Sequence, residues 1–279
     1  MDALTAWLTA LGAPDAAALS AALIRLPGRP PHGDAPVRPT RPLGAMEWSV
    51  REGDDAVRWA YNLAGERVDV DAITSLLSGQ DGLADPVATA LSELRGAGLQ
   101  VGAAGRRMKL YAYPGPQAPD AVAVLLRAAK AGPALDAALA GSVPSFGALD
   151  LEEPLAAKVY FEAHSLPAAT AAAAAAGAPR LAALGAGLDE GLGTPPARWV
   201  LSIRARAGAV VDRTLHVKLD AAPERLADLA GPELSARTAR LYRRAARQRL
   251  RLLPTYVSFL DSPERPLLTT VYYRLLEPR

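Results

Sequence analysis

From residue 43 onward, apolar and polar positions alternate in short runs that come in pairs, each pair hinged on a turn signal. The first, "AMEWSVREGDDAVRWAYNL", bends about Gly-Asp-Asp. The same unit returns in "LQVGAAGRRMKLYAYPG", "SFGALDLEEPLAAKVYFEAHS", "RWVLSIRARAGAVVDRTLHVKLD" and "PTYVSFLDSPERPLLTTVYYRLL". A period of two places alternate side chains on one face of a strand, so the pattern predicts five β-hairpins. Helical text separates them: "VDVDAITSLLSG", "ADPVATALSELRGAG" and a longer stretch from about Ala222 to Leu250.

About ten antiparallel strands with flanking helices make an α+β chain of degenerate αββα repeats. An open sheet of that size would expose its edges, and closure removes them. The predicted architecture is a closed antiparallel ten-stranded β-barrel surrounded by a ring of α-helices. Such a barrel is wider than side chains alone would fill, which leaves a ligand chamber. Its apolar exterior meets the helices, so its interior is free to be polar.

Residues 1–28 read as two short amphipathic helices. Asp2 and Asp15 interrupt them and no basic segment precedes them, unlike a signal peptide. Residues 29–42, "RPPHGDAPVRPTRP", form a proline-rich loop, and residues 43–279 carry the barrel repeats. The whole chain, 1–279, is expected to be a single domain. The alanine-rich stretch "AATAAAAAAGAPRLAALGAG" is too short before Gly177 and Pro179 to span a bilayer.

The later strand of each hairpin changes the picture from architecture to chemistry. In order these strands carry Arg58, Lys109 with Tyr111, Lys158 with Tyr160, His216 with Lys218, and Tyr272 with Arg274. One cation recurs per repeat. On "RRMKLYAYPG", Arg107, Lys109, Tyr111 and Tyr113 all share one face. The opposite parity (Leu110 and Ala112, Val159 and Phe161, Leu215 and Val217) is apolar and should meet the helices. The cations and phenols then face the lumen, where unpaired charge is costly without an anionic guest.

Neither GxxxxGK[ST] nor GxGxxG occurs, so a nucleotide held at a helix N-terminus is not indicated. A diphosphate gripped by Arg and Lys fits better. Phenols beside it can donate hydrogen bonds or turn their π faces to a carbocation. Both roles belong to prenyl transfer.

"AMEWSV", "AVRWAYNL", "RMKLYAYP", "AKVYFEAHS" and "PTYVSF" with "LTTVYYRL" resemble the strand motifs of the aromatic prenyltransferases with the ABBA or PT-barrel fold. The nearest branches are the dimethylallyltryptophan synthase type and the cyanobactin peptide prenyltransferases. The resemblance runs from about Leu43 to the C-terminus and takes in all five hairpins. It implies transfer of an allylic group, dimethylallyl first among them, to an electron-rich ring such as indole, tryptophan or tyrosine, free or in a peptide.

Matched residue by residue, the resemblance implies that Glu47 orients the acceptor and takes its proton. It assigns the diphosphate to Arg58, Lys109, Lys158, His216, Lys218 and Arg274. It assigns shielding of the allyl cation to Tyr111, Tyr160 and Tyr272. His216 departs from the Lys, Arg or Tyr expected there, and Tyr273 beside Tyr272 leaves the parity of the last strand open. No DDxxD motif is present. Side-chain cations therefore stand in for metal, so no cofactor is expected to be required, with magnesium left open as an aid.

Composition adds limits. Among 279 residues half are hydrophobic, enough for a substantial core, and cysteine is absent. That removes disulfides, a thiolate nucleophile and cysteine-bound zinc, and agrees with a cytoplasmic protein. A net charge of +2 gives little support to nucleic acid or membrane as partners. The expected partners are an allylic prenyl diphosphate and an aromatic small-molecule or peptide acceptor, bound by a monomer or homodimer.

The arginine run "RTARLYRRAARQRLR" reads as the solvated face of an outer helix in preference to a nucleic-acid surface. His32 and His164 have no partners at metal or triad spacing and read as surface or structural residues. Trp48 and Trp59 lie on the outward parity. The competing functions are a non-catalytic barrel that binds an anionic isoprenoid or a peptide, and a basic nucleic-acid-binding protein.

Overall fold

The computed structural model describes residues 46–63, 81–104, 107–115, 120–132, 135, 143–192, 198–218, 232–247, 249 and 251–276. The expected opening helices, the proline-rich loop with His32, and "VDVDAITSLLSG" lie outside the described residues.

Ten strands and five described helices follow one another in hairpin-plus-helix order. The first hairpin is β1 (Met46–Arg51) and β2 (Asp54–Leu63), followed by α1 (Asp81–Glu93). Next come β3 (Gly98–Ala104), β4 (Arg107–Tyr113) and α2 (Ala121–Ala128). The third unit is β5 (Phe146–Leu151) and β6 (Ala156–Ala163) with α3 (Leu166–Ala175) and α4 (Pro179–Leu192). Then come β7 (Arg198–Arg206), β8 (Ala209–Lys218), α5 (Pro232–Arg247), β9 (Arg251–Asp261) and β10 (Leu268–Leu276). Each strand pairs antiparallel with its sequence neighbours, and β1 pairs with β10, so the barrel is closed.

Because every pairing is antiparallel, the even-numbered strands all run the same way. The five hairpin turns gather at one end of the barrel, here the turn end, and the helical connections leave from the other. Local sequence sets these turns. Between β7 and β8, Ala207 and Gly208 both take positive φ, 50° and 78°. That is the left-handed pair required by a tight hairpin whose twist matches its strands.

Burial separates outside from inside. Met108, Leu110 and Ala112 of β4, Val159 and Phe161 of β6, and Leu215 and Val217 of β8 join Leu83, Val87, Leu125, Ala169, Leu181 and Leu241 of the helices in one core. Each of the larger side chains, Val, Leu, Met or Phe, contributes roughly 1.5–3 kcal/mol on leaving water. A second, separate cluster holds Ala148, Tyr160 and Val200 with Tyr111 and Phe146 packed on it. Its members carry the opposite parity, and it lines the lumen. The predicted alternation therefore assigns the faces correctly.

The remaining expectations can be located. Trp59 is buried in the outer core; the side chain of Trp48 lies outside the described residues. On α5, Leu234, Leu241 and Ala245 turn inward, Arg240, Arg243, Arg244 and Arg247 are exposed, and Arg237 is half-buried. That helix is described over Pro232–Arg247, within the longer stretch predicted. His164 is exposed. Among the described residues no helix is long and apolar enough to cross a membrane.

Candidate active site

Directly paired residues of an antiparallel ladder share a face, and the register brings the charged lumen side chains together near the turn end. Lys109 pairs with Asp150, Lys158 with Arg204, and Arg204 with Asp212. The Lys109 ammonium lies 2.7 Å from Asp150 Oδ1. Arg204 Nε lies 2.6 Å from Asp150 Oδ2 and its Nη1 3.2 Å from Asp212 Oδ2, and the same guanidinium contacts Glu152. Burial alone would raise the Asp150 pKa, but Lys109 and then Arg204 outweigh it and hold the carboxyl below its ordinary value. The lumen was expected to hold cations and phenols; it also holds carboxylates that pair with the expected Lys109 and with a further cation, Arg204.

Lys158 is different. It is 7% exposed, and its ammonium donates to Thr214 Oγ1 at 2.9 Å. Among the described residues no carboxylate comes within 4.0 Å of it. Burial is the main reason its pKa falls to about 7; Asp212 and Asp150 pull it upward, while Lys109 and Arg51 push it further down. A buried ammonium steadied by a hydroxyl has room in its electrostatics for an arriving anion. Arg51 extends the cluster on β1, where its Nε donates to Thr270 Oγ1 at 3.1 Å. Arg58, half-buried on β2, pairs with Ser49 of β1 and Ala104 of β3 on the same face.

Aromatic rings form an arc beyond the cations. Tyr113 stacks on Phe146 at 4.8 Å between centroids, and Phe146 on Tyr160 at 4.2 Å. From Tyr160 the arc continues to His216 at 5.7 Å and on to Tyr272 at 6.0 Å, with Tyr111 at 6.2 Å from Tyr160. Each Lys-x-Tyr pair sets an ammonium beside its own phenol: Lys109 lies 5.8 Å from the Tyr111 centroid and Lys158 5.7 Å from that of Tyr160. Gly102 lets Tyr111 lie close to the β3 backbone, since a Cβ there would come within 3.2 Å of its ring. Burial drives the Tyr160 pKa well above its ordinary value, with Tyr111 and Tyr272 adding to the shift, so the phenol stays neutral.

His216 belongs to this arc and not to the cation cluster. Its Nε2 lies 3.1 Å from Ser202 Oγ, and burial, then Lys158, Lys109 and Arg51, push its pKa well below the ordinary value. These surroundings favour the neutral ring, which lies between Tyr160 and Tyr272. Tyr272 faces the lumen, and Tyr273 is fully buried against Tyr242 of α5 with its hydroxyl 2.9 Å from Thr238 Oγ1. The parity left open on β10 is thus resolved.

Lys218 and Arg274 share the inward parity but stand towards the helical end. Lys218 is four residues past Thr214 on β8, roughly 13 Å of strand, and is half-buried. Arg274 is exposed and pairs with Glu47. Counted along their strands, Lys109 and Lys158 stand nearest the turn end, Arg58 stands level with Tyr111, Tyr160 and Tyr272, and Lys218 and Arg274 lie further on, with the backbone of Glu47 beside Arg274. The backbone of Glu47 pairs with Ala60, and Ala60 with Gly102; the Glu47 side chain lies outside the described residues.

Reading only the later strands misses Arg51, Asp150, Ser202, Arg204 and Ser258 on the earlier ones, and reading only cations and rings misses the hydroxyls of Thr214 and Thr270 on the later ones. The same parity rule would have found them all. Among the described residues no group of three His, Cys, Asp or Glu side chains is arranged to hold a metal ion.

No family model matches the chain, and no curated protein matches it by sequence. Solved structures do match in shape. The prenyltransferase PriB in its complex with product diphosphate superposes with a TM-score of 0.71 at 19% identity, over 99% of this chain and 97% of that one. The chain has the PT-barrel fold. A 6-dimethylallyltryptophan synthase from Micromonospora olivasterospora, in complex with DMASPP and Trp, shares this PT barrel with a TM-score of 0.66 and 19% identity, over 99% and 98% of the two chains. The 5-dimethylallyl tryptophan synthase from Streptomyces coelicolor, also with DMASPP and Trp, gives 0.59 and 18%, over 82% and 78%. The expected αββα barrel is therefore found both in the chain itself and in its structural neighbours.

Proposed function

We propose that the protein is an aromatic prenyltransferase. It would transfer an allylic group, dimethylallyl first among candidates, from its diphosphate to an electron-rich ring, with the whole chain acting as one PT-barrel domain. The observation that carries this reading is Lys158: a buried ammonium without a carboxylate partner among the described residues, set between further cations and an arc of π faces. The structures similar in shape, with diphosphate in one and DMASPP and Trp in others, support the same pairing of ligands.

In this reading Arg58, Lys109 and Lys158, joined by Arg51 and Arg204, hold the diphosphate. The allylic C1–O bond breaks and its electron pair leaves with the diphosphate, whose growing charge the preorganised cations stabilise. Tyr111, Tyr160, His216 and Tyr272 then face the allyl cation and exclude water. The ring's π electrons form the new bond to C1, and the ring carbon attacked loses its proton. Glu47, at the end shared with Lys218 and Arg274, orients the acceptor and receives that proton directly or through water. Tryptophan and simple indoles are the first acceptors to try, with tyrosine derivatives and peptides next.

The test is incubation with dimethylallyl diphosphate and this acceptor panel, read by mass for one added C5H8 unit. Diphosphate binding with neither product nor prenyl alcohol across the panel would favour a non-catalytic isoprenoid-binding barrel.

A further inference from the structure

Two kinds of cation stand side by side in the lumen. Lys158 is braced by a hydroxyl, whereas Lys109 and Arg204 are both held by Asp150, at 2.7 and 2.6 Å. Asp150 is 8% exposed, and Arg204 links it to Asp212 and to Glu152, which also lies 3.9 Å from Arg206. The arrangement spans β4, β5, β7, β8 and the β5–β6 turn. It leaves Lys109 and Arg204 neutralised before any ligand arrives.

We propose that Asp150 is a resident counter-anion, a positioning residue that holds Lys109 until diphosphate displaces it and takes Lys109 back as the product diphosphate leaves. This rests on the reading of the lumen as a prenyl diphosphate site. A polyanion among one buried and several half-buried cations is attracted more strongly than in bulk water, and each charge added to or removed from its surroundings is felt there. Tight binding of the product would then limit turnover. A carboxylate in direct contact with one of the gripping ammonium groups competes with the ligand for it. It weakens the ground-state grip on diphosphate, and it keeps Lys109 and Arg204 aimed inward while the site is empty. Asp212 and Glu152 act on the same balance through Arg204.

The experiment compares wild type with Asp150→Asn, using inorganic diphosphate as the probe in titration calorimetry at fixed ionic strength. Removing one negative charge beside the site should tighten diphosphate binding by about tenfold. Steady-state turnover should fall while the single-turnover rate of prenyl transfer is kept, and product inhibition should strengthen. A folded Asp150→Asn protein that binds diphosphate equally or more weakly overturns the proposal. So does a single-turnover rate that falls in step with the steady-state rate, as a purely structural role would produce.

If Asp150→Asn does not fold, as judged by circular dichroism, Glu152→Gln at the more exposed edge of the network decides. Tighter diphosphate binding supports the counter-anion, and unchanged or weaker binding overturns it. Wild type that binds no inorganic diphosphate would instead bring down the prenyl diphosphate reading itself, an outcome distinct from failure of the Asp150 proposal.

Discussion

The Lys158 ammonium is held 2.9 Å from Thr214 Oγ1, across two strands, at a depth where only 7% of the residue is exposed. A hydroxyl can orient an ammonium without cancelling its charge. Ser202 at His216 and Thr270 at Arg51 set further hydroxyls beside polar groups of the lumen.

Lys158→Met keeps the volume and removes the charge. If Lys158 stabilises the departing diphosphate, kcat/KM should fall on the order of 10²-fold or more, as it does when a preorganised transition-state donor is lost. Stability should hold or rise, because a buried charge has been replaced by an apolar chain. Steady-state kinetics beside a urea melt would show both. A melt midpoint that drops with activity nearly intact would make Lys158 a structural residue.

The depressed pKa of Lys158, about 7 with burial as its main cause, gives a pH dependence whose sign follows directly. Binding an anion needs the protonated form, so kcat/KM for the donor should fall as pH rises through about 7 in the free enzyme. Bound diphosphate favours the ammonium, so the fall in kcat should come at higher pH. For stability, the folded pKa lies below the unfolded value of 10.5 and the unfolded chain binds more protons between them. This group's contribution to stability therefore rises with pH across that window and is flat below it. A kcat/KM profile flat from pH 6 to 9 would contradict the assignment.

His216 supplies a sharper comparison. As a neutral ring between Tyr160 and Tyr272 it serves by its face and by excluding water. His216→Phe should keep diphosphate affinity and lose far less than the roughly 10²-fold expected for removal of a clamp cation. Calorimetry with inorganic diphosphate on the two proteins checks this. A large loss of affinity would restore His216 to the diphosphate clamp.

These cases show where the sequence was legible. Alternation alone distinguished Tyr111 from Leu110 and Tyr160 from Val159, because a half-buried strand has two faces and the helices cover one. That logic yields closure, the inward cations and the outer core. It does not yield depth along the barrel axis, which depends on register and shear. Alternation alone therefore groups Lys218 and Arg274 with Lys158, although they lie further along their strands. Nor does it yield pairing across strands. The meeting of Lys109 with Asp150 depends on a register fixed by the whole closed sheet, and the neutrality of His216 depends on how deeply that sheet buries it.

Tyr272 and Tyr273 are adjacent in sequence and face opposite sides of the barrel wall, so the same substitution should separate chemistry from stability. Tyr273 is fully buried, edge-on to Tyr242 and bonded to Thr238. Tyr273→Ala should cost about 3–5 kcal/mol, the range for a large aromatic lost from a core. Tyr273→Phe should cost nearer 1 kcal/mol, the net worth of one hydrogen bond. Neither should change how the allyl cation divides between product and prenyl alcohol. Tyr272→Ala should do the reverse. It should melt close to wild type but release more prenyl alcohol, because a π face worth about 2 kcal/mol to a desolvated cation has been replaced by space for water. Urea melts together with product analysis would read both effects. If Tyr272→Ala shifts the melt and leaves the product ratio unchanged, Tyr272 is packing and the shield must be built from Tyr111, Tyr160 and His216 alone.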